Sequence, residues 1–325
     1  MITLVNRDCM IYDLEYRVAD ILYEYATYGK VELNTNNEGI CLNNVKFYEI
    51  LDYICEKFNI DRKSVTIYTK NALEHHDNYN IVIKSNHWLI TSKKYAQLYY
   101  QPISKQSQLK TLGCFVGQVN WKRLIVSSWL FNNYKDKCLM SFNYRNSDVD
   151  KLLSDLTMVN FYNSSCIEEA VGFLKHTPIY VDDLYHFKNP NITYEEHWKN
   201  VLSLLKFYDQ FFLDLVVETY IMGNTFFPTE KSIRPFIAKT PFITVGPVNF
   251  LTNLKKLGFK TFNRWWDESY DWCEGAHRID EIKKVIAKIM LWPNDKLLST
   301  LDEMSEVLEH NFSVYMNTKD LQERL

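Results

Sequence analysis

No stretch of this sequence approaches the roughly 18 apolar residues that a membrane-spanning helix requires. The opening MITLVNRDCMIYDLEYR mixes acids and bases into its first apolar residues, so no signal-peptide core is expected there. No CxxC pair occurs. The seven cysteines, at 9, 41, 55, 114, 138, 166 and 273, are odd in number and widely spaced, which fits a reduced cytoplasmic protein better than a disulfide framework or a zinc site. An excess of one charge is missing as well: 37 basic and 40 acidic residues leave a formal net charge of −3, so no global basic footprint points to nucleic acid, although a local basic groove is compatible with that total. Glycine is scarce, at 9 residues, and neither an internal repeat nor a low-complexity segment is found.

The remaining composition describes a globular chain. Hydrophobic residues make up 46% and charged residues 24% of 325 positions, enough for one large or two ordinary domains. Aromatic content is high at 15%, with 22 Tyr and 19 Phe. Abundant Asn, Lys, Ile and Tyr is the usage of an AT-rich genome, such as that of a phage, a large virus or an AT-rich bacterium; for a viral protein the host cytoplasm is the expected location.

Strand and helix patterns alternate along the chain. Residues 2–6 read as a strand, and 12–28 as a helix with Leu14, Val18, Ile21, Leu22 and Tyr25 on one face. A second helix is expected over 44–58, with short strands at 65–69 and 79–84. This alternation argues for a mostly parallel α/β unit. The polar stretch 97–110 is the expected linker. Beyond it, a strand over 112–117, a helix over 121–134 and a strand over 137–144 open a second unit. Residues 148–158 read as helical, 159–192 as irregular and 194–208 as a helix. Helices are also expected over 248–257, closed by Gly258, and over 279–291 and 296–309.

The most informative stretch runs from Phe211 to Pro247. Leu213, Leu215, Val216 and Val217 form a near-continuous apolar run, as in a strand covered on both faces. Glu218 ends it, which puts a carboxylate at the strand's C-terminal edge, where open α/β sheets keep their ligand crevices. Thr229 is a good N-cap, and Glu230 and Lys231 fill the next helical turn. A helix N-terminus attracts phosphate, Lys231 adds a mobile cation suited to a diphosphate, and a carboxylate such as Glu230 accepts hydrogen bonds from a ribose diol. The plainer alternative is a capped surface helix with Glu230 and Arg234 paired at i, i+4. Pro235 is expected to kink the helix. A strand over 241–245 follows, ended by Gly246-Pro247.

The order Glu218, then Phe227-Pro-Thr-Glu-Lys231, then Pro241-Phe-Ile-Thr-Val-Gly-Pro247 resembles the nucleotide-sugar motif of α-1,3-fucosyltransferases. Gly113-Cys-Phe-Val-Gly117 with Asn120 and Arg123 resembles the strand-turn-helix that opens the same domain there and in exostosin-like transferases. The likeness covers roughly residues 110–260. Thr219 stands where those families have Asn, the loop to Thr229 is slightly longer, and the N-terminal third does not align.

The resemblance implies an α/β protein of the GT-B type. Its two Rossmann-like domains would face a central cleft, with a C-terminal helix packing back on the first. The corresponding division is 1–108 as acceptor-side domain, 109–292 as nucleotide-sugar domain and 293–325 as helical segment. It implies a metal-independent glycosyltransferase that needs no cofactor beyond its substrate, a nucleoside-diphosphate sugar. Thr229, Glu230, Lys231, Glu218, Arg123 and Gly117 would bind that donor, and a glycan or a hydroxymethylated base in phage-type DNA would accept the sugar. A non-catalytic nucleotide-binding or structural viral protein that keeps the fold is the competing expectation.

An inverting transferase also needs a general base, and His87 or Asp77 of the N-terminal unit are the candidates; a lone His is more often a surface or core residue. His75 and His76 are adjacent, so on a strand they would face opposite sides and could not share a metal. Asp148-Val-Asp150 falls in an expected loop or helix start and not at a strand end, so no metal-ligand set is expected. The aromatic run Phe262 to Trp272 reads as interdomain packing before a sugar- or base-stacking surface. The lysines at 93, 94, 105 and 110, and the cluster Lys255, Lys256, Lys260 and Arg264, read as solvated faces before a basic groove.

Overall fold

The computed structural model describes residues 1–4, 10–35, 39–85, 92–97, 102–117, 119–143, 154, 164–181 and 194–317. The first unit consists of β1 (Ile2–Thr3), α1 (Met10–Tyr16), α2 (Val18–Tyr28), β2 (Val31–Asn34), α3 (Phe47–Lys57), β3 (Val65–Thr69) and β4 (Asn80–Ile83). Its four strands lie in the order β1-β2-β3-β4, all parallel, with Val31 opposite Val65 and Ile67 opposite Ile81. The helix expected over 12–28 is two helices, because the backbone leaves helical geometry at Arg17 (φ −95°, ψ 9°). Leu14 and Ile21 are nonetheless buried as the apolar spacing requires, and Val18, Leu22 and Tyr25 pack around them. Gly29, at φ 65°, ends α2 in the left-handed conformation that glycine adopts without a Cβ penalty.

The second unit holds β5 (Lys110–Val116), α4 (Trp121–Tyr134), β6 (Cys138–Phe142), α5 (Ser164–Leu174), α6 (Tyr194–Ser203), β7 (Phe211–Val217), α7 (Glu230–Ile237), β8 (Phe242–Val245), α8 (Phe250–Lys256), α9 (Gly275–Ile289) and α10 (Asn294–Asn317). Its parallel strands lie in the order β6-β5-β7-β8. From β5 the chain goes to β6 on one side and later to β7 on the other, so the winding reverses at β5/β7. Every residue of β7 is buried, in agreement with its continuous apolar sequence. At Gly113 of β5 a Cβ would lie 2.6 Å from the ring of Phe211, which fills the space a side chain would need. The span expected to be irregular, 159–192, contains α5; the helix expected over 148–158 lies outside the described residues apart from Ser154.

Two hydrophobic cores follow the two sheets. The first runs from Ile2 to Tyr79; the buried residues of the second run from Tyr95 and Ala96, in a helical segment at 92–97, to Tyr315. Tyr315 near the end of α10 meets that segment through a 2.8 Å hydrogen bond between its hydroxyl and that of Ser92. The expected linker is tied down at Lys105, whose ammonium donates to the carbonyls of Tyr208 (2.6 Å) and Phe211 (2.7 Å) and to Thr240 Oγ1 (3.0 Å). Phe262, Trp266 and Tyr270 of the aromatic run are buried in the second core, with Phe262 edge-on to Phe242 at 5.2 Å, whereas Trp272 is exposed. That run therefore packs within one unit.

Candidate functional site

Reversal of winding makes the C-terminal ends of β5 and β7 diverge, and an open parallel sheet forms its ligand crevice at such a point. Gly117, half-buried, leaves β5 there. Asn120 caps α4 by accepting the Arg123 amide (3.1 Å). The first turn of α4 reaches across to the other strand: Arg123 Nη2 donates to the Val217 carbonyl (3.2 Å), and Lys122 Nζ donates to that of Thr219. Both cations are buried.

Glu218, buried at the end of β7, grips the opening of α7. Its Oε1 accepts from the Thr229 amide (3.1 Å) and the Ser232 hydroxyl (2.5 Å), and its Oε2 from the Thr229 hydroxyl (2.7 Å). Thr229 is the N-cap, accepting from the Lys231 amide at 3.3 Å, as its residue type predicts. Lys231 Nζ folds back onto Thr229 Oγ1 (3.0 Å) and pairs with Glu230 Oε1 (2.7 Å). Only 15% of the Lys231 side chain and 17% of that of Glu230 are exposed. The second carboxylate oxygen, Glu230 Oε2, is buried and accepts no hydrogen bond. Burial works against ionisation of Glu230, but the cations of Lys231 and then Arg234 outweigh it and hold the carboxyl at about 2. The guanidinium of Arg234 stacks over the Phe115 ring at 5.6 Å. Pro235 lies inside α7, which ends two residues later at Ile237.

The strand-end crevice is nearly full. Glu218, Thr219, Tyr220, Thr225, Phe227, Pro247 and Phe250 enclose about 10 Å3, space for about one water molecule. Loops from the first sheet close over the same segment. Asn71, beyond β3, donates to the Asn224 carbonyl (3.0 Å) and accepts from the Phe226 amide (3.0 Å), while the Ala72 amide donates to the Phe226 carbonyl (3.2 Å). Thr225 Oγ1 donates to the carbonyl of Gly39. Gly39 sits at φ 79°, where a Cβ would come within 2.7 Å of Phe227 Cβ. Glu74 holds Asn71 from behind, accepting its Nδ2 (2.9 Å), the Leu42 amide (3.2 Å) and the Tyr48 hydroxyl (3.0 Å). Burial pushes the Glu74 carboxyl up.

Six residues expected at a donor site, Gly117, Arg123, Glu218, Thr229, Glu230 and Lys231, thus lie on segments that leave β5 and β7 at one sheet edge. Of the two expected general bases, the one that is described is not brought to them. Asp77 is 93% exposed and pairs with His75 at 3.1 Å, and His87 lies outside the described residues. Lysines of the suspected basic grooves are committed elsewhere: Lys105 to the carbonyls above, Lys255 to Glu268 (3.6 Å) and Lys260 to Glu306 (3.5 Å). Among the described residues no group of three or more His, Cys, Asp or Glu side chains is placed to hold a metal ion, and no helix is long and apolar enough to cross a membrane. Lys122, Ser232, Asn71 and Glu74 were not legible as site residues; Lys122 stood beside Arg123, whereas the other three depend on partners distant in sequence. Comparison of the chain with protein-family models, curated proteins and solved structures gives no significant match.

Proposed function

We propose that the β5/β7 edge binds the diphosphate of a nucleoside-diphosphate sugar and that the chain is a glycosyltransferase of GT-B architecture. The observation that carries this reading is the position of the winding reversal, which puts the openings of α4 and α7 and four basic side chains, Lys122, Arg123, Lys231 and Arg234, around the ends of two strands. Those cations outnumber the two carboxylates of Glu218 and Glu230, and amides at helix openings favour anions further. A departing nucleoside diphosphate gains negative charge as the sugar leaves, and preorganised cations stabilise that charge. Glu218 acts by fixing the opening of α7; Glu230 Oε2, lacking a donor, is suited to a ribose hydroxyl. The acceptor on this reading is a glycan hydroxyl or a hydroxymethylated base.

A second reading is a nucleotide-binding protein without transfer activity. It is favoured by the nearly filled crevice and by the mutual pairing of Glu230 and Lys231. Incubation with UDP-, GDP-, ADP- and CMP-sugars separates the two. Release of free nucleotide from one donor, accelerated by an acceptor, supports transfer; binding without release supports the second reading, and neither binding nor release rejects both.

A further inference from the structure

A cavity of about 460 Å3 opens at the other edge of the second sheet, among the residues that lead into its strands. Lys110 begins β5, Asp136 and Lys137 precede β6, Gln210 precedes β7, Gln108 lies before β5, and Trp292 lies between α9 and α10. The volume is within the ~300–1,000 Å3 usual for small-molecule sites. We propose that this cavity is a carbohydrate-binding site for a neutral oligosaccharide, separate from the β5/β7 crevice and independent of what that crevice binds.

The chemistry of the lining selects this ligand class. Lys110 Nζ donates to the Asp136 carbonyl (2.6 Å) and Lys137 Nζ to the Met290 carbonyl, just past α9 (2.5 Å). Each ammonium carries three donors, so the bonds hold both in place and leave donors over. The Asp136 carboxylate offsets one of the two ammonium charges, and both ammoniums are already engaged by carbonyls, which makes the lining a weaker match to a phosphate than to a neutral ligand. The side-chain amides of Gln108 and Gln210 and the indole N–H of Trp292 make no hydrogen bond among the described residues. An amide presents donor and acceptor in one plane, which matches a pair of adjacent sugar hydroxyls, and an indole combines an apolar surface with one donor. One face of Trp292 carries the exposed Lys296 ammonium at 4.3 Å, on a stem flexible enough to move aside.

Saturation-transfer NMR with maltotetraose, cellotetraose and chitotetraose, and with inorganic phosphate as the competing probe, tests the proposal. The expected result is binding of at least one tetrasaccharide, weakened tenfold or more in a Gln108→Ala, Gln210→Ala double variant of unchanged thermal stability. Trp292 packs against Phe212 at 5.9 Å, and Trp292→Phe, which keeps an aromatic ring there but removes the N–H, is expected to weaken binding too. No tetrasaccharide binding at millimolar concentration, binding unaltered by the double variant, or displacement of the sugar by phosphate overturns the proposal.

Discussion

The carboxylate of Glu218 accepts both the amide (3.1 Å) and the hydroxyl (2.7 Å) of Thr229, so the end of β7 and the cap of α7 are held as one unit. A strand-end acid in a parallel sheet is usually read as facing a ligand; here its two oxygens are engaged by the opening of α7.

Removing that acid is expected to leave buried donors unsatisfied. Glu218→Ala strands the Thr229 amide and two hydroxyls, and is expected to cost about 3 kcal/mol, since hydrogen bonds to a charged group contribute roughly 1.5–3 kcal/mol each and hydroxyls can turn to other acceptors. Glu218→Gln keeps an acceptor and the shape, and is expected to cost less than half as much. Urea unfolding of the three proteins checks the order; equal stability of wild type and Glu218→Ala contradicts it.

Acid sensitivity of α7 follows from the Glu230–Lys231 pair. The folded carboxyl, at about 2, lies below the ordinary Glu value of about 4.3. The pair's contribution is therefore complete above that ordinary value and is lost as pH falls towards 2, by an amount on the order of 3 kcal/mol. Lys231→Ala is expected to flatten this acid slope. Unfolding free energies measured across that window decide it; parallel slopes for the two proteins contradict the prediction.

A second pH dependence, in a higher window, is expected at Lys105. Burial pushes its amine down to about 7, against the attraction of Asp214, which burial in turn pushes up to about 6. Between about 7 and the ordinary Lys value of about 10.4 the unfolded chain binds the proton and the folded chain does not, so stability from this group rises with pH. The difference in stability between wild type and Lys105→Met is expected to change in favour of wild type across that interval. A pH-independent difference contradicts it.

Asn71 is one of the residues that tie the two units together. It is completely buried and uses both ends of its amide, with Phe226 and Leu73 amides on Oδ1 and Glu74 and the Asn224 carbonyl on Nδ2. Asn71→Ala is expected to destabilise by about 3 kcal/mol, from several lost bonds worth roughly 1 kcal/mol each and the stranded partners. Hydrogen exchange is expected to speed up at residues 223–227 more than in β7. Uniform acceleration over both segments contradicts a local role.

Several elements with a short-ranged signal were legible, although α5 and the break at Arg17 were not. The helix expected over 121–134 is α4, and the apolar run before Glu218 placed β7. Thr229 announced its own helix. Contacts made over long separations were not legible: Asn71 and Asn224 are 153 residues apart, and nothing beside either hints at the other. The side chain of Lys105 was read as a solvated charge because its carbonyl partners, Tyr208 and Phe211, lie 103 and 106 residues away. The reversal at β5/β7 is a matter of strand order, which hydrophobic periodicity does not encode. The same limit explains the aromatic run, whose density announced burial without saying in which core.

Calorimetric titration of UDP, GDP, ADP and CDP into wild type and Lys231→Ala tests the proposed nucleotide site most directly. The expected result is saturable binding of at least one of them to wild type, weakened tenfold or more (about 1.4 kcal/mol) in the variant, which loses the ammonium but keeps the Thr229 cap. No binding of any of the four at millimolar concentration, or the same affinity in both proteins, would contradict the assignment of the β5/β7 edge as a diphosphate site.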